Sequence, residues 1–161
     1  MSRSRDSQFQ AKQQLVALLK AQVQLLREAP VEEPVLNFDL IRVDRYDRFL
    51  AQGPGARWPA GSLPGLKQGI RDLQFMLDRA YTGRQRVQMR QRLRESAGAA
   101  AEWRDARDGK QLTAILKRGR IRNEDEYHLV RAEIDRLEAG GIADGRRHRQ
   151  LCELADAASV G

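Results

Sequence analysis

Apolar residues in this chain recur every three or four positions, and no stretch shows the sustained apolar–polar alternation of a half-buried strand. The commonest residues include the good helix formers Leu, Ala, Arg and Gln, whereas β-branched residues are scarce. These features predict an all-α fold, with roughly six helices in an irregular bundle. The length of 161 residues fits a single helical domain spanning residues 1–161.

The first predicted helix is long, covers about residues 7–29 and carries an unusually wide apolar stripe. One face has heptad-like spacing, and Leu15, Leu18 and Leu25 widen it onto a second face. A helix that is apolar over so wide an arc is buried on two sides, so it is either central to the bundle or shared between subunits. A homo-oligomer or a larger assembly is therefore expected. The candidate partner-interface residues are Val16, Leu19, Val23 and Leu26.

The rest of the chain reads as shorter helices separated by glycine and proline. A short helix is expected over residues 39–50, then a Gly/Pro loop, then a helix to about Tyr81 with Ser62 as its N-cap. An Arg-rich helix over 84–96 follows. Residues 98–109 read as mixed and only partly helical, and a short helix ends near Gly119.

The C-terminal part, residues 123–161, is predicted to form an αα-hairpin. Asn123 and Glu126 have the spacing of a capping box, and Gly140-Gly141 ends the helix that they begin. Leu151, Leu154, Ala155 and Ala158 mark the returning helix.

Positive charge is concentrated in the middle of the chain. Residues 57–122 contain sixteen Lys or Arg against six Asp or Glu, a local net charge of +10, whereas the whole chain carries +7. Residues 123–161 are acidic, with nine carboxylates against five Arg. Charge segregated in this way most often serves a polyanionic partner.

Two groups of basic residues are candidates for binding nucleic acid. Arg86, Arg90 and Arg94 lie one helical turn apart, so they form a ridge that suits a phosphate backbone. The second group is a turn with four cations in six positions. The alternative is that these cations pair with carboxylates. The candidates are Glu32, Glu33 and Asp47 for the ridge, and Glu124, Asp125 and Glu126 for the turn. The full set of candidates is Arg84, Arg86, Arg90, Arg94, Lys117, Arg118, Arg120 and Arg122.

A DNA-binding helix-turn-helix is not favoured, although the turn lies between two helices. The would-be recognition helix begins with Glu124, Asp125 and Glu126, whose charges would face phosphate. Trp58, beside Arg57, could stack on a base, but packing against the core is the more common role of such a residue.

No pattern indicates a metal site, a cofactor or an enzyme. Glu124 with His128, and His148 with Cys152, have i,i+4 spacing, but His148 lies in an Arg-rich run that would repel a cation. No Ser or Cys lies in a nucleophile motif, and no glycine-rich loop has the pattern of a nucleotide cradle. The single Cys152 and the absence of a signal-like apolar run predict a cytoplasmic protein with no membrane association.

The sequence therefore predicts a non-enzymatic helical protein that binds a nucleic-acid phosphate backbone, of DNA or RNA, without reading its bases. The alternative is a helical interaction or structural subunit whose basic face docks on an acidic protein. On the first hypothesis, substituting Arg90 and Arg94 by Glu should weaken nucleic-acid binding without unfolding the protein.

Overall fold

A computed structural model describes residues 2–30, 42–143 and 145–159. Helices dominate this part of the chain, and no strand occurs in it, so the predicted all-α fold is confirmed. The described helices number seven rather than roughly six. They are α1 (Ser2–Arg27), α2 (Val43–Ala51), α3 (Ser62–Ala80), α4 (Gly83–Ala97), α5 (Ala99–Arg118), α6 (Glu124–Ala139) and α7 (Arg146–Ser159).

Helix α1 lies at the centre of the larger apolar core. It packs against α2, α3, α4 and α5, and Leu18 is fully buried. The four candidate interface residues Val16, Leu19, Val23 and Leu26 are between 1% and 7% exposed. The wide apolar stripe of α1 is thus covered by helices of the same chain, as in the central-helix alternative. The stripe therefore gives no reason to invoke a second subunit.

A second, smaller core lies between the C-terminal half of α5 and the helices α6 and α7. Leu112 and Ile115 of α5 pack with Val130 and Ile134 of α6 and with Leu151 of α7. The αα-hairpin predicted for the C-terminal part is formed by α6 and α7. Because α4 contributes to the larger core and also packs against α6, it connects the two cores.

Helix α5 differs most from the sequence prediction. It is one continuous helix of 20 residues, whereas a mixed segment followed by a short helix was expected. Arg104, Asp105 and Asp108 lie on the inward side of its first half, where apolar residues would have given a helical pattern. Gly109, a poor helix former, lies within the helix and strengthened the mistaken prediction.

The helices begin and end close to the positions that the sequence predicted, with small differences. The N-cap of α3 is Gly61, with φ of 81°, rather than Ser62. Helix α4 ends at Ala97 and is capped by Gly98, whose φ of 49° suits glycine, and α5 begins at Ala99. The predicted helix over residues 39–50 is observed as α2, and residues 31–41 lie outside the described part of the chain.

We searched the described helices for a segment long and apolar enough to cross a lipid bilayer and found none.

Candidate functional site

The first residue of the predicted phosphate-binding ridge, Arg86, is buried inside the protein. Its side chain is 5% exposed, and its Nη1 donates to the Asp135 carboxylate at 2.7 Å. Its Nε and Nη2 donate to the backbone carbonyls of Tyr81 and Asp78. Burial lowers the pKa of Arg86, and the nearby Asp135 and Asp78 oppose that shift. Every nitrogen of this guanidinium is therefore used within the fold.

The second ridge residue, Arg90, holds two carboxylates together. Its Nη2 and Nε donate to Asp78 at 2.6 and 3.1 Å, and its Nη1 donates to Asp108 at 3.2 Å. Burial disfavours its charge, but Asp78 and Asp108 outweigh that effect and raise the pKa of Arg90. Arg94, the third ridge residue, is 38% exposed and pairs with Asp105 at 2.9 Å.

These pairs belong to one polar network between the helices, to which Arg86 is linked through the Asp78 backbone carbonyl. Arg104 of α5 donates to Asp105 at 2.9 Å and to the Gln74 side chain at 3.0 Å. Gln74 in turn donates to Asp78 and accepts from Gln22 of α1. We call the charged members the buried ionic cluster. They are Asp78, Arg86, Arg90, Arg94, Arg104, Asp105, Asp108 and Asp135, of which Arg94 and Asp105 lie at the partly exposed edge of the cluster.

The cluster changes the interpretation of the arginine ridge. Arg86 and Arg90 face the interior and neutralise buried aspartates, so a phosphate backbone cannot reach them in this conformation. The alternative prediction was that the ridge arginines pair with carboxylates. They do so, but their partners are not those that the sequence suggested. Asp47 pairs instead with Lys20 at 2.6 Å, and Glu32 and Glu33 lie outside the described residues. Arg84 is exposed and makes no ion pair with any described residue.

The basic turn, residues 117–122, has a different construction. Arg118 pairs with the Glu126 carboxylate and also donates from Nη2 to the Arg120 backbone carbonyl at 2.8 Å. Glu126 accepts from the Arg122 backbone N–H at 2.7 Å, and Gly119 has φ of 75°. The turn is therefore fixed by Arg118, which is only 18% exposed.

The other cations of the basic turn point to solvent. Lys117, Arg120 and Arg122 are exposed, and their side chains pair with no carboxylate of the described residues. Lys110 lies two helical turns before Lys117 on α5. It is also exposed, and its side chain pairs with no carboxylate of the described residues. From Gly109 to Arg122 the chain contains no acidic residue. The result is a cationic edge along the end of α5 and the turn that follows it.

The carboxylates at the start of α6 are partly engaged. The Asn123 side chain accepts from the Glu126 N–H at 2.9 Å, which confirms the predicted N-cap. Glu124 lies 3.5 Å from the Arg79 guanidinium and 3.6 Å from His128. Asp125 is exposed, so its charge reduces the positive potential on the α6 side of the turn.

A polar cleft of about 550 Å³ lies between α3, α5 and α6. Its walls include Arg90, Arg104 and Asp108 of the buried ionic cluster, together with Arg71 and His128. Burial raises the pKa of Asp108, although Arg90 and Arg104 oppose the shift. Burial also lowers the pKa of His128, although the nearby Glu124 opposes that shift.

The other residues that the sequence suggested for function, Trp58, His148 and Cys152, contact neighbouring side chains of the fold. Trp58 packs against the larger core beside Tyr46 and Phe49, with the Lys12 ammonium 4.9 Å from its ring centre. His148 lies 3.0 Å from Glu138 and 3.6 Å from the Cys152 sulfur. No group of three His, Cys, Asp or Glu side chains within the described ranges is placed to hold a metal ion.

Comparison of this chain with family models, curated proteins and solved structures finds no match.

The sequence analysis missed the aspartates of the buried ionic cluster. A signal for one was present, since Ile70, Gln74 and Asp78 follow each other at four-residue intervals beside the apolar stripe of α3. Polar residues that continue the buried face of a helix are expected to have partners there. Asp135, flanked by Ile134 and Leu137 on α6, gives a weaker signal of the same kind.

Proposed function

We propose that this chain binds the phosphate backbone of a nucleic acid, without reading its bases, through the exposed cations of α5 and the basic turn. These residues are Lys110, Lys117, Arg120 and Arg122. The observation that supports the proposal is that all four are exposed and unpaired among the described residues, whereas the inward arginines are neutralised. Free cations next to one another are what a phosphate backbone recognises.

The fixed shape of the turn favours such binding. Arg118 and Glu126 hold the backbone in one conformation, so binding does not need to order the turn. A preorganised contact surface loses less conformational entropy when a partner binds.

The neighbouring surface favours a phosphate backbone over an acidic protein. Interfaces between proteins usually have a buried apolar or aromatic centre. Thr113, Ala114 and Gly119 are the small exposed residues between the cations. Among the described residues, Ile142 is the one large apolar side chain that is mainly exposed, and it lies between α6 and α7.

The test is a binding titration with fluorescent single- and double-stranded DNA and RNA at several salt concentrations. Because each neutralised phosphate releases counterions, the logarithm of affinity should fall steeply with the logarithm of salt concentration. Arg120→Gln with Arg122→Gln should weaken binding and reduce that slope by about 1.4 to 1.8. The preferred nucleic acid is read directly from the same titration.

The matched control is Arg45→Gln with Arg146→Gln, which removes the same charge from two exposed arginines whose side chains pair with no described carboxylate. This control should bind almost as well as the original chain. If both double variants lose affinity equally, binding reflects net charge alone and the assigned site is wrong. If nothing binds at low salt, an acidic protein becomes the better candidate partner for these cations.

A further inference from the structure

Two arginines from different helices lie at the polar cleft between α3, α5 and α6, and no carboxylate bridges them. Arg71 of α3 donates only to the Gln68 side chain, at 3.2 Å from Nε. Arg107 of α5 makes no hydrogen bond or ion pair with any described residue, although it is partly buried. Burial lowers the pKa of Arg107, and repulsion from the Arg71 charge adds to that effect.

Most of the carboxylates around the cleft already have partners. Asp78 is held by Arg90 at 2.6 Å, and Asp108 is held by the same guanidinium at 3.2 Å. Asp72 accepts from Gln68 at 2.7 Å, and among the described carboxylates of the lining Asp125 alone is unpaired. The hydrogen-bond donors of the cleft that remain free to bind a ligand are therefore mainly on cationic side chains.

A further unsatisfied donor lies in the cleft wall. The Arg104 side chain is 5% exposed, and its Nε has no hydrogen-bond partner among the described residues. The other two nitrogens of that guanidinium are held by Gln74 and Asp105. A buried N–H without an acceptor costs free energy. Because this nitrogen is buried, the cationic donors open to a ligand in the cleft are those of Arg71 and Arg107.

The rest of the lining is mixed in character. Phe75, Met76 and Leu129 supply apolar surface, and Gln111 supplies an amide beside Arg107. The volume of about 550 Å³ lies in the range of small-molecule sites, which combine an apolar wall with a few polar groups. The cleft thus offers two cations for an anionic head and an apolar surface for an organic body.

We infer that this cleft binds a small organic anion, whose carboxylate or phosphate group lies between Arg71 and Arg107 and whose apolar part packs against Phe75 and Met76. Arginine suits both head groups because its planar guanidinium can bind two oxygens at once. The inference does not depend on nucleic-acid binding by the basic turn.

The test is calorimetric titration of the full chain with phenyl phosphate, with benzoate and with inorganic phosphate. Saturable binding of either aromatic anion, tighter than that of inorganic phosphate, is expected. The stronger of the two identifies the head group. Arg107→Gln should weaken that binding by about tenfold, and Arg71→Gln should act in the same direction. Because Arg107 has no ion pair among described residues, its substitution should leave the fold intact, which thermal unfolding checks.

Lys110→Gln is the matched control, since it removes one positive charge from the same helix outside the cleft. It should leave aromatic-anion binding unchanged while it weakens binding of nucleic acid, and Arg107→Gln should weaken aromatic-anion binding. Two results would overturn the inference: no saturable binding of either aromatic anion at low salt, or equal losses in the Arg107 and Lys110 variants.

Discussion

Arg86 shows how this fold accommodates a charge in its interior. The three nitrogens of this side chain donate to the Asp135 carboxylate and to two backbone carbonyls, so each nitrogen has an acceptor. The pair links α4 to α6 where both side chains are about 95% buried. Such a pair contributes little net stability when complete, but removing one partner leaves an uncompensated buried charge.

Removing Arg86 alone should therefore be costly. We expect Arg86→Met to lower the free energy of unfolding by about 3–5 kcal/mol, because Asp135 would remain buried without a counter-charge. In the double variant, which adds Asp135→Leu, much of that loss should be recovered. Urea unfolding of the two single variants and the double variant measures the coupling between them. Simple addition of the two single losses would show that the pair is not coupled.

At the scale of the element, helix α4 carries two kinds of arginine on one short helix. Arg84 is exposed at its start, whereas Arg90, less than two turns later, is 12% exposed and holds Asp78 and Asp108. The hypothesis from sequence treated these residues as equivalent parts of one phosphate-binding surface. The two positions should therefore respond differently to the same substitution.

Glutamate at position 90 would place a third carboxylate beside Asp78 and Asp108. We expect Arg90→Glu to lower the free energy of unfolding by about 3–5 kcal/mol, whereas Arg84→Glu should change it by at most about 0.5 kcal/mol. Circular dichroism during urea unfolding distinguishes the two. Equal stability of the two variants would show that the buried ionic cluster is not needed for folding. The expectation from sequence that the Arg90/Arg94 variant stays folded is thus replaced by its opposite.

The elements were predictable from sequence where their buried faces are apolar. Helix α1 and the α6–α7 hairpin follow from Leu, Val and Ile at helical spacing, with Asn123 and Gly140 at the ends of α6. The first half of α5 was not predictable in this way, because Arg104 and Asp108 occupy its inward side. Hydrophobic periodicity contains no information about a charged residue that is buried with its partner.

The candidate site was predictable to a similar extent. The basic turn is recognisable from local composition, and the structure leaves Lys117, Arg120 and Arg122 exposed. The roles of Arg86 and Arg90 depend on Asp135 and Asp108, which lie 49 and 18 residues further along the chain. Pairing over such separations is decided by tertiary packing, which a helical pattern does not describe.

At the scale of the whole molecule, two apolar cores are connected by charged residues. The larger core contains α1, α3 and α4, and the smaller one joins the end of α5 to α6 and α7. Between them lie the Arg86–Asp135 pair and the contacts of Arg90. These ionic contacts add to the connection made by helix α5, which contributes residues to both cores.

A core substitution can measure that coupling. Leu151 is fully buried in the smaller core, so Leu151→Ala should cost about 2–5 kcal/mol. Because Leu151 belongs to the smaller core, amide protection should fall more in α6 and α7 than in α1 and α3. Native-state hydrogen exchange detects the difference. The matched variant, Leu18→Ala in α1, should show the reverse, and uniform loss in both variants would indicate one cooperative unit.

In the basic turn, the residues that fix the backbone shape are different from those that set the sign of the surface charge. The bend is encoded by Arg118, Gly119 and Glu126, whereas the outward charge is encoded by Arg120 and Arg122. Mutations at the outward positions can therefore alter or invert the surface potential without reshaping the backbone. The same bend could be reprogrammed by two substitutions to present an acidic face to a cationic partner, which makes this turn a scaffold for engineered charge recognition.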